Sequence, residues 1–525
     1  MGSKIKILEA AANLVRSGDT LVVGASSGVS VPDAVLGALG KKFETSGAPG
    51  NLTVIFPINV GDMFGQKGLD HLASEGQVQR LIGGSYPSGP SGAEPPAIRR
   101  LIEDQKVLAY NLPVGVITAL VGETAAKGPG VLTDLGLGTF IDEEFGGGGM
   151  NQRSKSEPFA KRVELLGKTY LFFPSQPINV AIIRATTADQ HGNLTFENEG
   201  ALIAPYTLAA AAKANRGIVI AQVERCRDAR VVDPKAVKVP GYMVDAVVVA
   251  PDQMQATHTR YDPAISGQDW APVSRLPCIE DPVESLITRR IGGQVHAGEV
   301  AVLGYGVCAN LPALLARSGE IDLVSFVIEQ GSVGGIPLTG FQFGCSYNAQ
   351  AYLDTSLAFD YLRGGGFDVA LLSFLQIDAA GNLNVSHLPS KPHITAGIGG
   401  FMDIVHNAPR LVFAGRLRGG ASKISVEPNA LAIETEGSHA KFVKEVDQVT
   451  VTADALCRGG RDVKIVTERC TFSLEADGLH LIEIVPGIDP KSQVIDLCDV
   501  PVYVREPLTV MDKRLFLDNS APLLG

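Results

Sequence analysis

The chain carries the same segment twice, and this repeat constrains its fold more than any other feature. Near the start stands SGDTLVVGASSGVSVPDAVLGAL, with Gly18, Asp19, Val22, Gly24 and Pro32. Past the middle stands AGEVAVLGYGVCANLPALLARSG, with Gly298, Glu299, Val302, Gly304 and Pro312 at one constant offset. Each copy runs from a Gly-acid turn into a short apolar stretch, then a glycine loop, then a helix opened near a proline. A second pair follows in the same order: Asp189-Gln190-His191-Gly192-Asn193-Leu194 and Asp378-Ala379-Ala380-Gly381-Asn382-Leu383. One match of that kind is a common turn sequence. Two matches in order predict a duplicated chain.

Apolar stretches alternating with helical patterns give each half an α/β character, with largely parallel strands. The expected fold is two tandem, related, open α/β domains at 1–255 and 282–525. The intervening stretch, 256–281, is rich in Pro, Asp and Ser and shows no period, so it reads as a linker. Composition agrees. Of 525 residues, 45% are hydrophobic and only 6% aromatic, which is an aliphatic core of the kind buried parallel strands build. Fifty-nine glycines without a collagen period belong in turns and close-approach loops.

A net charge of −11 with no basic block argues against nucleic acid as a partner. Seven scattered cysteines with no Cys-x-x-Cys pair fit reduced, structural thiols better than a disulfide framework or a zinc site. The opening residues lack a signal-peptide core, and Lys6 stands where a myristoylation motif wants Ser or Thr. Apolar stretches such as 300–316 are too short and too broken to span a bilayer. The expectation is a cytoplasmic protein with no membrane partner.

The strongest chemical candidate is Glu329. An apolar strand delivers this lone carboxylate to its C-terminal end, just before Gly331, Gly334 and Gly335. Ligands of open α/β sheets bind at that edge. Glycines there would let a bulky substrate approach the backbone, and a partly desolvated carboxylate is a better nucleophile than one in water. An ordinary acid in a strand-to-loop turn is the plainer alternative. Two more glycine clusters, Gly397-Ile398-Gly399-Gly400 and Gly364-Gly365-Gly366, could present N–H groups to an oxyanion or phosphate, or could simply be tight turns. Four glycines at 146–149 read as a flexible loop or lid. Gly304-Tyr305-Gly306-Val307-Cys308-Ala309 satisfies a dinucleotide fingerprint, but the first copy does not preserve it, so nicotinamide binding is disfavoured. The nine histidines show no metal-ligand spacing, and no Gly-x-Ser-x-Gly elbow is present.

The segment Glu329-Gln330-Gly331-Ser332-Val333-Gly334-Gly335-Ile336-Pro337 resembles the active-site segment of family I coenzyme A transferases, most closely the single-chain acetate and propionate type. The resemblance extends to Gly397-Ile398-Gly399-Gly400-Phe401-Met402-Asp403, to Tyr110-Asn111-Leu112-Pro113 and to Pro486-Gly487-Ile488-Asp489, covering nearly the whole chain. Gln330 departs from the Asn, Ser or Ala usual after the glutamate. Ala34 stands where ketoacid-type relatives carry an asparagine linked to the oxyanion hole, so that donor must be backbone or come from elsewhere. Asn310-Leu311-Pro312-Ala313 also lacks the usual Gly-Ile/Met-Pro.

The resemblance implies a transferase that moves CoA between a short-chain acyl-CoA and a free carboxylic acid, with no permanent cofactor and no metal. Glu329 would be the nucleophile, carrying CoA as a glutamyl thioester in a ping-pong cycle. Gly399 and Gly400 are the candidate oxyanion donors. Gly331, Gly334, Gly335, Gly397 and Lys391 are candidates for contact with CoA. A homo-oligomer, with a tetramer favoured, is also implied. An acyl-CoA hydrolase and a non-catalytic ligand sensor of the same fold stay open as alternatives.

Overall fold

A computed structural model describes residues 4–62, 65–89, 93–230, 233–516 and 521–524. The first half forms one sheet from β1 (Thr20–Val23), β2 (Leu52–Phe56), β3 (Val78–Gly83), β4 (Leu108–Asn111), β5 (Val180–Ala188), β6 (Ile218–Cys226) and β7 (Ala246–Val249). These pair in the order β7-β6-β5-β1-β2-β3-β4, all parallel. The second half is built on β8 (Val300–Leu303), β9 (Ser325–Ile328), β10 (Val369–Ser373), β11 (Arg410–Ala414) and β12 (Asp462–Val466). Their order is β12-β11-β10-β8-β9, again parallel. An antiparallel extension, β13 (Cys470–Glu475) and β14 (Gly478–Ile484), continues the sheet past β12.

The five-strand order of the second half matches β7-β6-β5-β1-β2 of the first, with β8 in the place of β1. The expected duplication is therefore present in the topology. Gly24 follows β1 and Gly304 follows β8. The aliphatic sequence explains why both sheets are parallel: each is covered on both faces, so its strands must be apolar on both sides. Leu21 and Val23 face one core cluster while Val22 faces the other. Their counterparts Ala301, Leu303 and Val302 divide between two clusters in the same way.

The second repeated motif folds into the same turn twice. Asp189 Oδ1 accepts from the N–H groups of His191 and Asn193, and its Oδ2 accepts from Asn193 Nδ2. Asp378 makes the corresponding bonds with Ala380 and Asn382. Gly192 and Gly381 sit at φ of 82° and 88°, which explains the fixed glycine.

Two expectations need correction. The glycines at 146–149 are no lid: they are buried, Asn111 N–H donates to the Gly148 carbonyl at 2.8 Å, and a Cβ on Gly147 would meet Pro158 at 2.6 Å. Gly365 closes the helix α1 (Thr355–Arg363) against Asn407, with its φ at 67°, so that cluster is a turn rather than a phosphate cradle. The stretch at 256–281 holds one 3₁₀ turn, Val273–Arg275, and packs on the second half through Arg275, Asp262 and Tyr347. None of the seven cysteines is paired in a disulfide. Among the described residues no helix is long and apolar enough to cross a membrane.

Candidate active site

The site forms where β9 ends. Phe326, Val327 and Ile328 are buried, and the next residue, Glu329, leaves the sheet at its C-terminal edge. The chain then reverses sharply: Gly331 N–H donates to Ile328 O, Gly334 N–H donates to Phe326 O, and Val333 pairs antiparallel with Val327. Gly331, Gly334 and Gly335 all have positive φ, at 101°, 67° and 74°. A Cβ on Gly331 would lie 2.2 Å from Leu353 O, and one on Gly335 would lie 2.4 Å from Tyr347 O. These three glycines are therefore needed for the reversal itself, and they are absent from the cavity wall among the described residues. Positive φ accounts for glycine at all three positions.

Glu329 and Gln330 do reach the cavity. It measures about 560 Å³ and is walled by both halves. The first half contributes Ser26, Ser27, Ile58 and Asn59; the second contributes Phe341, Phe343, Leu372 and the 397–400 loop. Ala34 is not on this wall; its N–H instead donates to Gln222 Oε1. The polar side chains from the first half are Ser26, Ser27, Asn59, Ser85 and Ser88; of these only Ser26 and Ser27 fall in the repeated glycine-loop segment, and nothing in the sequence marks any of them as a site residue. The Gly304-Tyr305-Gly306 stretch also lines the cavity, with the Tyr305 ring edge-on to Phe343.

The 397–400 loop is the second component. Gly397 and Gly399 have φ of 107° and 55°, and the loop leads into α2 (Phe401–Asn407). Asn111 buttresses it: Ile398 N–H donates to Asn111 Oδ1 at 2.9 Å, and Asn111 Nδ2 donates to Gly84 O at 2.6 Å. A Cβ on Gly397 would strike Asn111 Oδ1 at 2.5 Å. Gly399 N–H donates to Gly84 O at 2.8 Å, a backbone contact with the first half. Gly400 N–H is the one aimed at the chemistry: it donates to Glu329 Oε2 at 2.8 Å. The other carboxylate oxygen, Oε1, accepts from Gln330 Nε2 at 3.3 Å. Lys391 is exposed and lies outside the wall, three residues before Ile394, which is on it.

Enclosure sets the electrostatics. Glu329 is half-buried, its remaining surface opening onto the cavity, and burial pushes its carboxyl from 4.5 up to about 7 against the opposing bond from Gly400. Asp403, on α2, is fully buried and accepts from Gly115 N–H at 2.9 Å. Burial raises it to about 7 as well, and the charge of Glu329 adds to the rise. Glu329 itself is poorly solvated, and the groups that bond its oxygens, Gly400 N–H and the Gln330 amide, are both uncharged. Such a carboxylate suits attack on a carbonyl carbon.

A Cβ at Gly400 would lie 2.4 Å from Glu329 Oε2 and 2.7 Å from the Phe359 ring. Gly400→Ala should displace the carboxylate and lower kcat by about 10²-fold or more, and crowding of the buried Phe359 ring should also lower the melting temperature. An unchanged kcat would show that the Gly400 N–H contact is incidental. The raised carboxyl has a separate signature in pH. Because the folded state binds the Glu329 proton more tightly than the unfolded state, the stability it contributes is full below about pH 4.5 and is lost as pH rises through about 7. Glu329→Gln should thus raise the melting temperature at pH 8, by the equivalent of about 1–3 kcal/mol, and change it little at pH 4.5. Equal effects at both pH values would contradict a raised carboxyl.

Comparison with known proteins places the chain in a family. A family model described as Coenzyme A transferase matches residues 4–250. The chain is 35% identical over 527 residues to the acetate CoA-transferase YdiF of Escherichia coli K12, covering 99% of this chain and 97% of that protein. It is 36% identical to the caffeate CoA-transferase of Acetobacterium woodii, covering 97% and 96%. The crystal structure of the apoenzyme of acyl-CoA transferase YdiF from Escherichia coli O157:H7 superposes with a TM-score of 0.89 at 34% identity, over 100% of this chain and 98% of that one. A YdiF thioester complex with CoA matches equally, with a TM-score of 0.89 at 33% identity, over 99% and 98%. With two-domain topology, duplicated strand order and full-length likeness in agreement, the chain belongs to the coenzyme A transferase family.

Proposed function

We propose that this enzyme transfers CoA from a short-chain acyl-CoA to a free carboxylic acid, with Glu329 as the nucleophile. The observation that carries the reading is the Glu329 carboxylate at a strand end, enclosed in a cavity and held by a backbone N–H. Attack of Glu329 on the thioester carbonyl gives a mixed anhydride and CoA thiolate. The thiolate then attacks the glutamyl carbonyl, forms a glutamyl-CoA thioester and releases the first acid. A second acid reverses both steps, which makes the kinetics ping-pong. CoA is thus both substrate and covalent intermediate, and no resident cofactor is called for.

Each tetrahedral step develops an oxyanion, and Gly400 N–H is the donor nearest the reacting atoms. Removing one such donor typically costs about 10²–10³ in rate. The apolar wall of Phe341, Phe343 and Leu372 limits water at the anhydride, which favours transfer over hydrolysis. Relatives named for acetate and caffeate support a carboxylate acceptor without fixing its size. We further propose the division of the chain at 1–255, 256–281 and 282–525, a cytoplasmic setting, and a homo-oligomer with a tetramer favoured.

A panel of carboxylic acids offered with acetyl-CoA tests the reading, with new acyl-CoA and free thiol measured together. Transfer without matching thiol release, and parallel double-reciprocal lines, are expected. Glu329→Asp should lose about 10²-fold or more, because withdrawing the nucleophile by one methylene displaces it by about 1 Å. Thiol release that is indifferent to the acid would instead identify a hydrolase.

A further inference from the structure

Gln330 follows Glu329 directly in the chain, and its surroundings give it a task. Its side chain is only 2% exposed and reaches across from the second half to the first. Nε2 donates to Ser26 Oγ at 3.2 Å and to Glu329 Oε1 at 3.3 Å. The amide orientation is fixed by chemistry: an ionised carboxylate only accepts, so the nitrogen must face it. The other end, Oε1, is buried with no hydrogen-bond partner. An orphaned acceptor of this kind is costly, so the side chain is held here against its own preference. Gly344, at φ of 116°, makes the room: a Cβ there would lie 3.0 Å from Gln330 Cγ and 3.3 Å from Ser26 Oγ. Ser26 itself is fixed in the 24–28 loop, where its N–H and carbonyl both bond to Val29.

The two oxygens of Glu329 are therefore held by different kinds of donor. Oε2 is held by Gly400 N–H, the donor that the proposed reaction would also require at the acyl carbonyl. As the oxyanion forms, that N–H is needed there and its hold on the carboxylate weakens. Gln330 Nε2, bonded to the far oxygen, keeps its grip through the hand-over. We propose that Gln330 is the positioning residue of Glu329: anchored on Ser26 of the first half, it fixes the carboxylate while the Gly400 N–H moves its bond to the developing oxyanion. The proposal rests on Glu329 being the nucleophile.

Gln330→Met keeps the length and removes the donor. It should lower kcat about 10–100-fold with the KM for acyl-CoA little changed, since the lost contact acts on the nucleophile and not on bound CoA. Ser26→Ala removes only the anchor and should lower kcat about 3–10-fold, again without a change in KM. Because the two act in series, the double variant should be no slower than Gln330→Met alone. Gln330→Glu, similar in shape but with a second acceptor facing the carboxylate, should be slower than Gln330→Met. A merely structural role would lower the melting temperature and leave these ratios unordered. Normal kcat in folded Gln330→Met, or multiplicative losses in the double variant, would overturn the proposal. If Gln330→Met does not fold, Ser26→Ala decides alone, and unchanged kcat there overturns it. Should the wild type transfer no CoA to any acid, the functional reading has failed instead.

Discussion

The hydrogen bond from Gly400 N–H to Glu329 Oε2 is the contact on which the rest of the site depends. A carboxylate withdrawn from water resists ionising, and one backbone donor offsets only part of that cost. The balance leaves the Glu329 carboxyl near 7, poorly solvated yet partly ionised at neutral pH, as the proposed nucleophile requires. Everything around the bond maintains its geometry. Gly400 must lack a side chain because Oε2 and the Phe359 ring occupy the space. Asn111 and Gly84, both from the first half, hold the loop that presents the N–H.

Among the described residues the first half does not repeat this site, because the two copies have diverged at its key positions. Val300 pairs with Ser325 as Thr20 pairs with Thr53, so the first-half residue in the place of Glu329 is Pro57. Proline offers neither a nucleophile nor an N–H. The strand beside it has diverged in step: Arg184 on β5 occupies the place of Ser373 on β10, which lines the cavity. Arg184 forms an ion pair with Glu199 at 3.3 Å, both side chains almost fully buried, and Ser30 adds a bond to Glu199 at 2.8 Å. A buried ion pair thus stands in the first half where Ser373 lines the cavity in the second. The first half keeps the fold and serves the site through Ser26, Asn59 and Asn111.

Much of this is legible in the sequence, for identifiable reasons. The repeated Gly24 and Gly304 segments reflect strand-loop-helix units that topology preserves, and the Asp-x-x-Gly-Asn turns recur because the aspartate bonds are identical in both copies. Glu329 stands out because a lone acid directly after an apolar strand falls at the sheet edge where such folds bind ligands. Glycines are harder to read. Gly331, Gly334 and Gly335 shape a reversal, Gly399 bonds to Gly84, and 146–149 is a packed turn. Positive φ and close backbone approach demand the same residue, so sequence alone does not separate them. Asn59 carries no signal, and Ser26 and Asn111, although they lie in the repeated loop and in a segment of the resemblance, show their part in the site only when the first half meets the second.

A covalent bond between CoA and Glu329 is the step that sets this mechanism apart from hydrolysis or simple binding. Mass analysis of protein incubated with acyl-CoA and no acceptor detects it directly. The intact chain should gain the mass of CoA as a thioester. Borohydride should then reduce that ester to an alcohol and inactivate the enzyme, with the altered peptide containing Glu329. A label on any other carboxylate, or full transfer activity in Glu329→Ala, would contradict covalent catalysis at this residue.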